Sequence, residues 1–190
     1  MDAVGSFEDA GISAIRNRMK DNSKDCNCPH MAMHMLEELE SKHHSDEELL
    51  VSNVLAHQKE ALAHVKKWLD CDECSTPTAI KTLLTLIIQR LTFYLEQGVS
   101  HYFGELSQGG AGMDSRYKSK KLLGELQVDS PHEWAQVMRV LLKIRARDLE
   151  LVLTRLKESA LRERRESQLP ILTSTTRRAQ RIVQELSESN

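Results

Sequence analysis

Ile80-Lys-Thr-Leu83-Leu84-Thr-Leu86-Ile87-Ile88-Gln-Arg-Leu91-Thr-Phe93-Tyr94-Leu95 decides the fold. Its apolar residues fall on nearly every side of a 3.6-residue helix. A helix that is apolar all round needs cover from other helices and belongs at the centre of a domain. Gln89 and Arg90 interrupt the run, and Leu83 to Leu95 is too short to span a bilayer. Thr76-Pro77 reads as a cap followed by a first-turn proline, and Gly98 reads as a stop. The expected central helix runs from about Thr76 to Gln97.

Two helices are expected on its N-terminal side. The first runs from about Pro29 to Ser41, with Met31, Met35, Leu36 and Leu39 on its apolar face. The second starts at the capping box Ser45-Asp-Glu-Glu48 and ends near Leu69. Leu55, Leu62 and Leu69 recur every seven residues, and Val51, Val54, Gln58, Ala61, Val65 and Trp68 fill the adjoining stripes. On the other side, residues 98–114 read as a glycine-containing loop and Ser115 to Gln127 as a short helix. Ser130-Pro-His-Glu133 opens the longest helix, expected from Pro131 to about Glu166. Its predicted inner face is Trp134, Val137, Met138, Leu141, Ile144, Leu149, Val152 and Leu156; beyond Leu161 it is expected to project into solvent. Pro170 breaks the pattern, and a last amphipathic helix carries Ala179, Ile182, Val183 and Leu186.

No segment alternates with period two over β-branched residues. The expected fold class is therefore all-α: an orthogonal or up-down bundle of about five helices around the central apolar one. The expected organisation is a polar tail or linker at 1–25, with a weak helical stretch from Ile12 to Met19. A helical regulatory domain at 26–166 and a C-terminal amphipathic helix with its tail at 167–190 follow.

A chain of 190 residues is long enough to bury a core without staples. Aromatics make up 4%, so Leu, Ile, Val and Met must fill that core. A formal charge of −2 gives no global field for a phosphate backbone, which argues against DNA binding by the domain as a whole. Four cysteines are too few for a disulfide scaffold, and residues 1–25 hold no signal-peptide apolar run. Reduced thiols in a cytosolic or nuclear compartment are expected.

Cys26-Asn-Cys28 and Cys71-Asp-Glu-Cys74 have the spacing of zinc ligand pairs, with His30 and His34 beside the first. A hairpin of helices one and two argues against a shared ion. If it turns near His43, Cys28 lies beside Gln58, and Cys71 is about 13 residues further, roughly 20 Å of helix. No metal or other cofactor is favoured on that geometry, and Cys26, Cys28, Cys71 and Cys74 are the candidates if one is bound. No enzyme is read from the rest. Histidines lack an H-E-x-x-H or Glu-x-x-His setting, Gly104 to Gly112 lacks the lysine of a phosphate loop, and no G-x-S-x-G elbow occurs. The basic clusters Tyr117-Lys-Ser-Lys-Lys121 and Leu161-Arg-Glu-Arg-Arg165 read as solvated faces, the second interleaved with Glu158, Glu163 and Glu166.

Asp25, Cys26, Cys28, Leu36 and Leu39 form a recognisable series with Leu55, Lys59, Ala61, Val65, Leu69, Cys71, Cys74, Ser75 and the greasy segment ending at Tyr94 and Leu95. It resembles the C-terminal regulatory domain of the fungal aflatoxin regulatory protein family of zinc-cluster transcription factors, over about residues 25 to 157. The resemblance implies a nuclear regulator of a secondary-metabolite gene cluster of the aflatoxin or sterigmatocystin type. Members of that family contact DNA through a binuclear zinc cluster of six cysteines, and that module is not in this chain. The second cysteine pair is spaced by two residues where one is the commoner family pattern.

Two functions follow as expectations. The first is a transcription-regulatory domain that acts by helical docking on other transcription-regulatory proteins or on a second copy, with Trp68, Phe93 and Trp134 as candidate anchors. DNA would be reached only through the missing zinc-cluster module, and no membrane is involved. The alternative is a helical bundle that senses a small apolar metabolite, with Met31, Met33 and Met35 lining its pocket.

Overall fold

The central helix is longer than its apolar run. In the computed structural model it spans Thr78–Ser107 and continues through Gly98. The structure describes residues 26–41, 51–74, 78–107, 121–123, 126–128 and 130–188. Helix α1 covers Cys28–Ser41, α2 Val51–Leu69, α3 Thr78–Ser107, α4 Pro131–Arg162 and α5 Leu169–Glu188. The fold is an all-α bundle in which α3 packs against each of the other four helices. Ile80, Leu83, Leu84, Ile87, Ile88, Leu91 and Leu95 of α3 are at most 1% exposed, as an all-round apolar helix requires. No helix among the described residues is long and apolar enough to cross a membrane.

Gly98 is a contact, not a terminator. A Cβ placed on it would lie 2.9 Å from Val54 Cγ2 and 3.0 Å from Cγ1. The missing side chain lets α2 and α3 approach closely at that level. One turn further along α2, Gln58 is fully buried and donates its side-chain amide to the carbonyl of Leu91, which lies seven residues before Gly98 on α3, at 2.6 Å.

The α1 face is rotated from the expected one. Ala32 and Met33 are buried beside Leu36 and Leu39, whereas Met31 is 44% exposed. Helix α1 lies mainly on α3 and only lightly on α2. The proposed turn near His43, the Ser45 capping box and the Thr76-Pro77 cap lie outside the described residues. So do the 1–25 tail, including Ile12 to Met19, and residues 108–120 of the expected loop and short helix.

Where that short helix was expected to finish, Lys121–Leu123 (β1) pairs antiparallel with Leu126–Val128 (β2), Leu122 opposite Gln127. Gly124 falls between them in sequence, and glycine is a poor interior residue for a helix.

Helix α4 starts as read: Ser130 Oγ accepts the Glu133 N–H at 3.0 Å, with Pro131 in the first turn. Of its expected inner face, Met138, Leu149, Val152 and Leu156 are buried as read, and the rest of the buried stripe falls on other residues. Ala135, Met138, Leu142, Ala146, Leu149, Leu153, Leu156 and Ala160 are buried, while Ile144 is 46% exposed. Trp134, Val137 and Leu141 are half-buried.

The end of α4 does not project into solvent. Arg164 adopts φ 55°, the left-handed region. Its N–H donates to the Leu161 carbonyl at 3.3 Å, and the Arg165 N–H donates to the Ala160 carbonyl at 2.8 Å. These two bonds form a Schellman stop, with arginine where glycine is usual. The reversal turns Arg165 inward, where it is 8% exposed and pairs with Glu163 at 3.1 Å. Glu163 also accepts from Lys81 of α3, itself 7% exposed. Pro170 then sits in the first turn of α5, where its missing donor costs nothing. Leu172, Thr175, Ala179, Ile182 and Leu186 of α5 are buried in the same core as α1–α4.

Candidate metal centre

Four thiols meet where the start of α1 reaches the end of α2. The Sγ atoms of Cys26, Cys28, Cys71 and Cys74 all lie within 4.8 Å of one another. Cys26 and Cys74, 48 residues apart, are 3.3 Å apart at sulfur. The separation expected from a simple hairpin is therefore wrong. Its premise was that α1 and α2 run side by side, and instead α1 rests on α3. Gln58, the expected neighbour of Cys28, points to Leu91.

Local structure aims each sulfur. Helix α2 ends at Leu69, and the Cys71 N–H donates back to the Trp68 carbonyl at 3.4 Å. Asp72–Cys74 then forms one 3-10 turn, closed by the Cys74 N–H on the Cys71 carbonyl at 3.0 Å. Cys74 turns inward and is 3% exposed; Cys26, Cys28 and Cys71 are half-buried around it. On the α1 side the Asn27 carbonyl accepts the Met31 N–H at 3.1 Å, which starts the helix directly after the C-x-C pair.

The four thiols are electrostatically unequal. Backbone N–H groups of Cys74 and, less strongly, Glu73 point at Cys71 and hold its thiol below the ordinary cysteine range. Burial and the Cys71 thiol push Cys28 up to about 11. Burial, followed by the neighbouring thiols, pushes Cys74 up as well. A divalent ion would reverse the cost of ionising thiols packed this closely, because its charge offsets the repulsion between the sulfurs.

The donor set fits a tetrahedral ion. With metal–sulfur bonds of about 2.3 Å, the edges of a thiolate tetrahedron are about 3.8 Å. A set of sulfurs within 4.8 Å, with one pair at 3.3 Å, needs sub-ångström adjustments to reach that shape. Four sulfurs leave no open position, so such a site would be structural and not catalytic. The two histidines that flank the first pair stay outside. His30 is exposed, and His34, also exposed, lies 3.9 Å from Glu38 at the rim of α1 facing α2.

The candidate anchors are dispersed. Trp68 is 4% exposed, with His64 stacked on it at 5.6 Å between ring centroids. Phe93 is half-buried beneath the Arg178 guanidinium of α5, 5.6 Å from its ring centroid. Trp134 packs against the core at the start of α4. Trp68 lines a half-open groove of about 300 Å³ between α1 and α2. Met31, Met35, Leu39 and Ala61 line it beside Trp68, with His34, Glu38, His57, Glu60 and His64 as polar lining. Met33 is buried in the core and does not reach it.

Compared with known proteins, the chain matches no family model, no curated protein and no solved structure.

Proposed function

We propose that this chain is the regulatory interaction domain of a fungal zinc-cluster-type transcription factor, acting in the nucleus on a secondary-metabolite gene cluster. Its mode of action is helical docking, with no catalytic step. The observation that carries the docking reading is the groove between α1 and α2. Methionines adapt their shape, and an apolar floor closed at one end by the buried Trp68 suits an amphipathic partner helix. Glu38 and Glu60 beside the floor favour a partner helix from another transcription-regulatory protein with Lys or Arg flanking its apolar anchors. The family assignment rests on the resemblance. Its support here is that Cys26, Cys28, Leu69, Cys71 and Cys74, which carry it, lie at one junction of the fold.

The whole chain fused to an unrelated DNA-binding module is expected to change reporter transcription in a fungal host. Met31→Glu, at an exposed groove position, is expected to abolish the effect while changing stability by less than about 0.5 kcal/mol. A fusion that is folded, nuclear and transcriptionally silent refutes the proposal.

The groove also favours a second reading, the sensing of a small apolar metabolite. Its volume of about 300 Å³ is at the lower end for small-molecule sites. A metabolite seated there would contact Trp68 and change its fluorescence, in a saturable titration that Met31→Glu weakens.

A further inference from the structure

We propose that Cys26, Cys28, Cys71 and Cys74 bind one zinc ion, as a structural clasp between the entry to α1 and the α2–α3 junction. The spacing of the ligand pairs, the cluster of their sulfurs and the turn that carries the second pair meet here. The two pairs have ligand spacing in sequence, C-x-C and C-x-x-C. The fold brings all four sulfurs within 4.8 Å, although the pairs come from segments that share no helix. The second pair is mounted on a single 3-10 turn, closed by the Cys74 N–H on the Cys71 carbonyl at 3.0 Å, which turns Cys74 inward to 3% exposure.

Packing alone does not account for the arrangement. A small apolar contact would place one cysteine against leucines. Here four polarizable sulfurs face each other, one of them 97% buried, at a place where α1 has little other contact with α2. Binding is written as four thiols plus one Zn²⁺ giving a tetrathiolate of net charge −2 and four protons released to solvent. No oxidant or reductant takes part.

Mononuclear iron is held by the same four-sulfur chemistry, and two disulfides are the oxidised alternative. Metal analysis distinguishes them. The full-length protein, purified under reducing conditions without added metal, is expected to carry one colourless zinc per chain. Replacement by Co²⁺ is expected to give the strong visible bands of a tetrahedral tetrathiolate. Cys74→Ser is expected to remove the metal, but it alters a buried position. Cys26→Ser changes a half-buried ligand before α1 begins, and is expected to lower zinc occupancy to below about a tenth while circular dichroism stays helical. Chelation of the wild type should lower its melting temperature, and chelation of Cys26→Ser should not. Metal-free protein with four titratable thiols, a red iron protein, or two disulfides in freshly reduced and refolded material would each overturn the proposal. Zinc retained in full by Cys26→Ser would overturn the four-cysteine assignment.

Discussion

The sharpest prediction concerns one substitution at two places on the same helix. Gly98 and Gly104 both lie within α3. Glycine inside a helix costs about 1 kcal/mol relative to alanine, so Gly→Ala stabilises wherever the new methyl has room. At Gly104 a Cβ meets nothing within 4 Å, and Gly104→Ala is expected to raise stability by about 0.5–1 kcal/mol. At Gly98 the same methyl meets three atoms of Val54, the nearest at 2.9 Å. Valine is stiff at χ1 in a helix, and Val54 is fully buried, so it has no free rotamer to retreat to. Overpacking of this kind costs about 1–3 kcal/mol. Set against the propensity gain of about 1 kcal/mol, Gly98→Ala should destabilise by about 0–2 kcal/mol.

Val54→Ala removes the opposing methyls and should itself cost about 2 kcal/mol. In the double variant the new methyl occupies the vacated space, so a favourable coupling of about 1 kcal/mol or more is expected. Urea denaturation of the four α3 and α2 variants measures all these terms, provided the m-value is unchanged. Equal stabilisation by Gly98→Ala and Gly104→Ala would refute the close approach. So would additive behaviour with Val54→Ala, which is the outcome expected of a glycine that merely ends a helix.

Two further outcomes follow from the core. Ile87→Ala, at a site with no exposure, should cost about 2–5 kcal/mol, read by denaturant unfolding; a loss under about 0.5 kcal/mol would remove α3 from the centre. Glu163 is partly desolvated, which alone would raise its carboxyl; the Lys81 hydrogen bond, the Ser159 hydroxyl and the Arg165 charge prevail and hold it below the ordinary value of 4.5. Its contribution is therefore complete above pH 4.5 and is lost as pH falls through the lower folded value. Glu163→Gln should cost about 1–2 kcal/mol at neutral pH, limited by the third of that side chain left in water. The gap to wild type should narrow below pH 4.5, and a gap that widens on acidification would contradict the assignment.

The centre of the fold was legible because Ile80 to Leu95 is apolar on every side, and no other environment accommodates such a helix. The orientation of its neighbours was harder to read. In α4 the run Val140-Leu141-Leu142 leaves the phase of the inner face open, and large residues drew the reading toward Ile144. The true stripe is marked by Ala135, Ala146 and Ala160, small residues that close helix packing selects and a ranking by hydrophobicity passes over. Gly98 misled for a related reason. Glycine as a stop is a local rule, whereas its contact with Val54 is tertiary. The projection expected beyond Leu161 failed because a left-handed arginine at 164 leaves no trace in composition. The meeting of the two cysteine pairs was hidden by the assumption of a hairpin between α1 and α2. Chain order said that α1 and α2 are consecutive, but not that α1 would settle on α3.

The place of α5 in the core has a consequence for synthesis. Translation delivers α3 before α4 and α5, so α1 and α2 are in place while the surfaces that α4 and α5 cover are still to come. Between Ser107 and Glu188 about 80 residues must be added, which takes about 4–16 s at cellular elongation rates. Throughout that interval the ribosome carries a long greasy helix with part of its circumference wet. Helix α5, made after the other four described helices, is thus the one that completes the cover of α3 and ends that helix's exposure to chaperones and to neighbours on the same message.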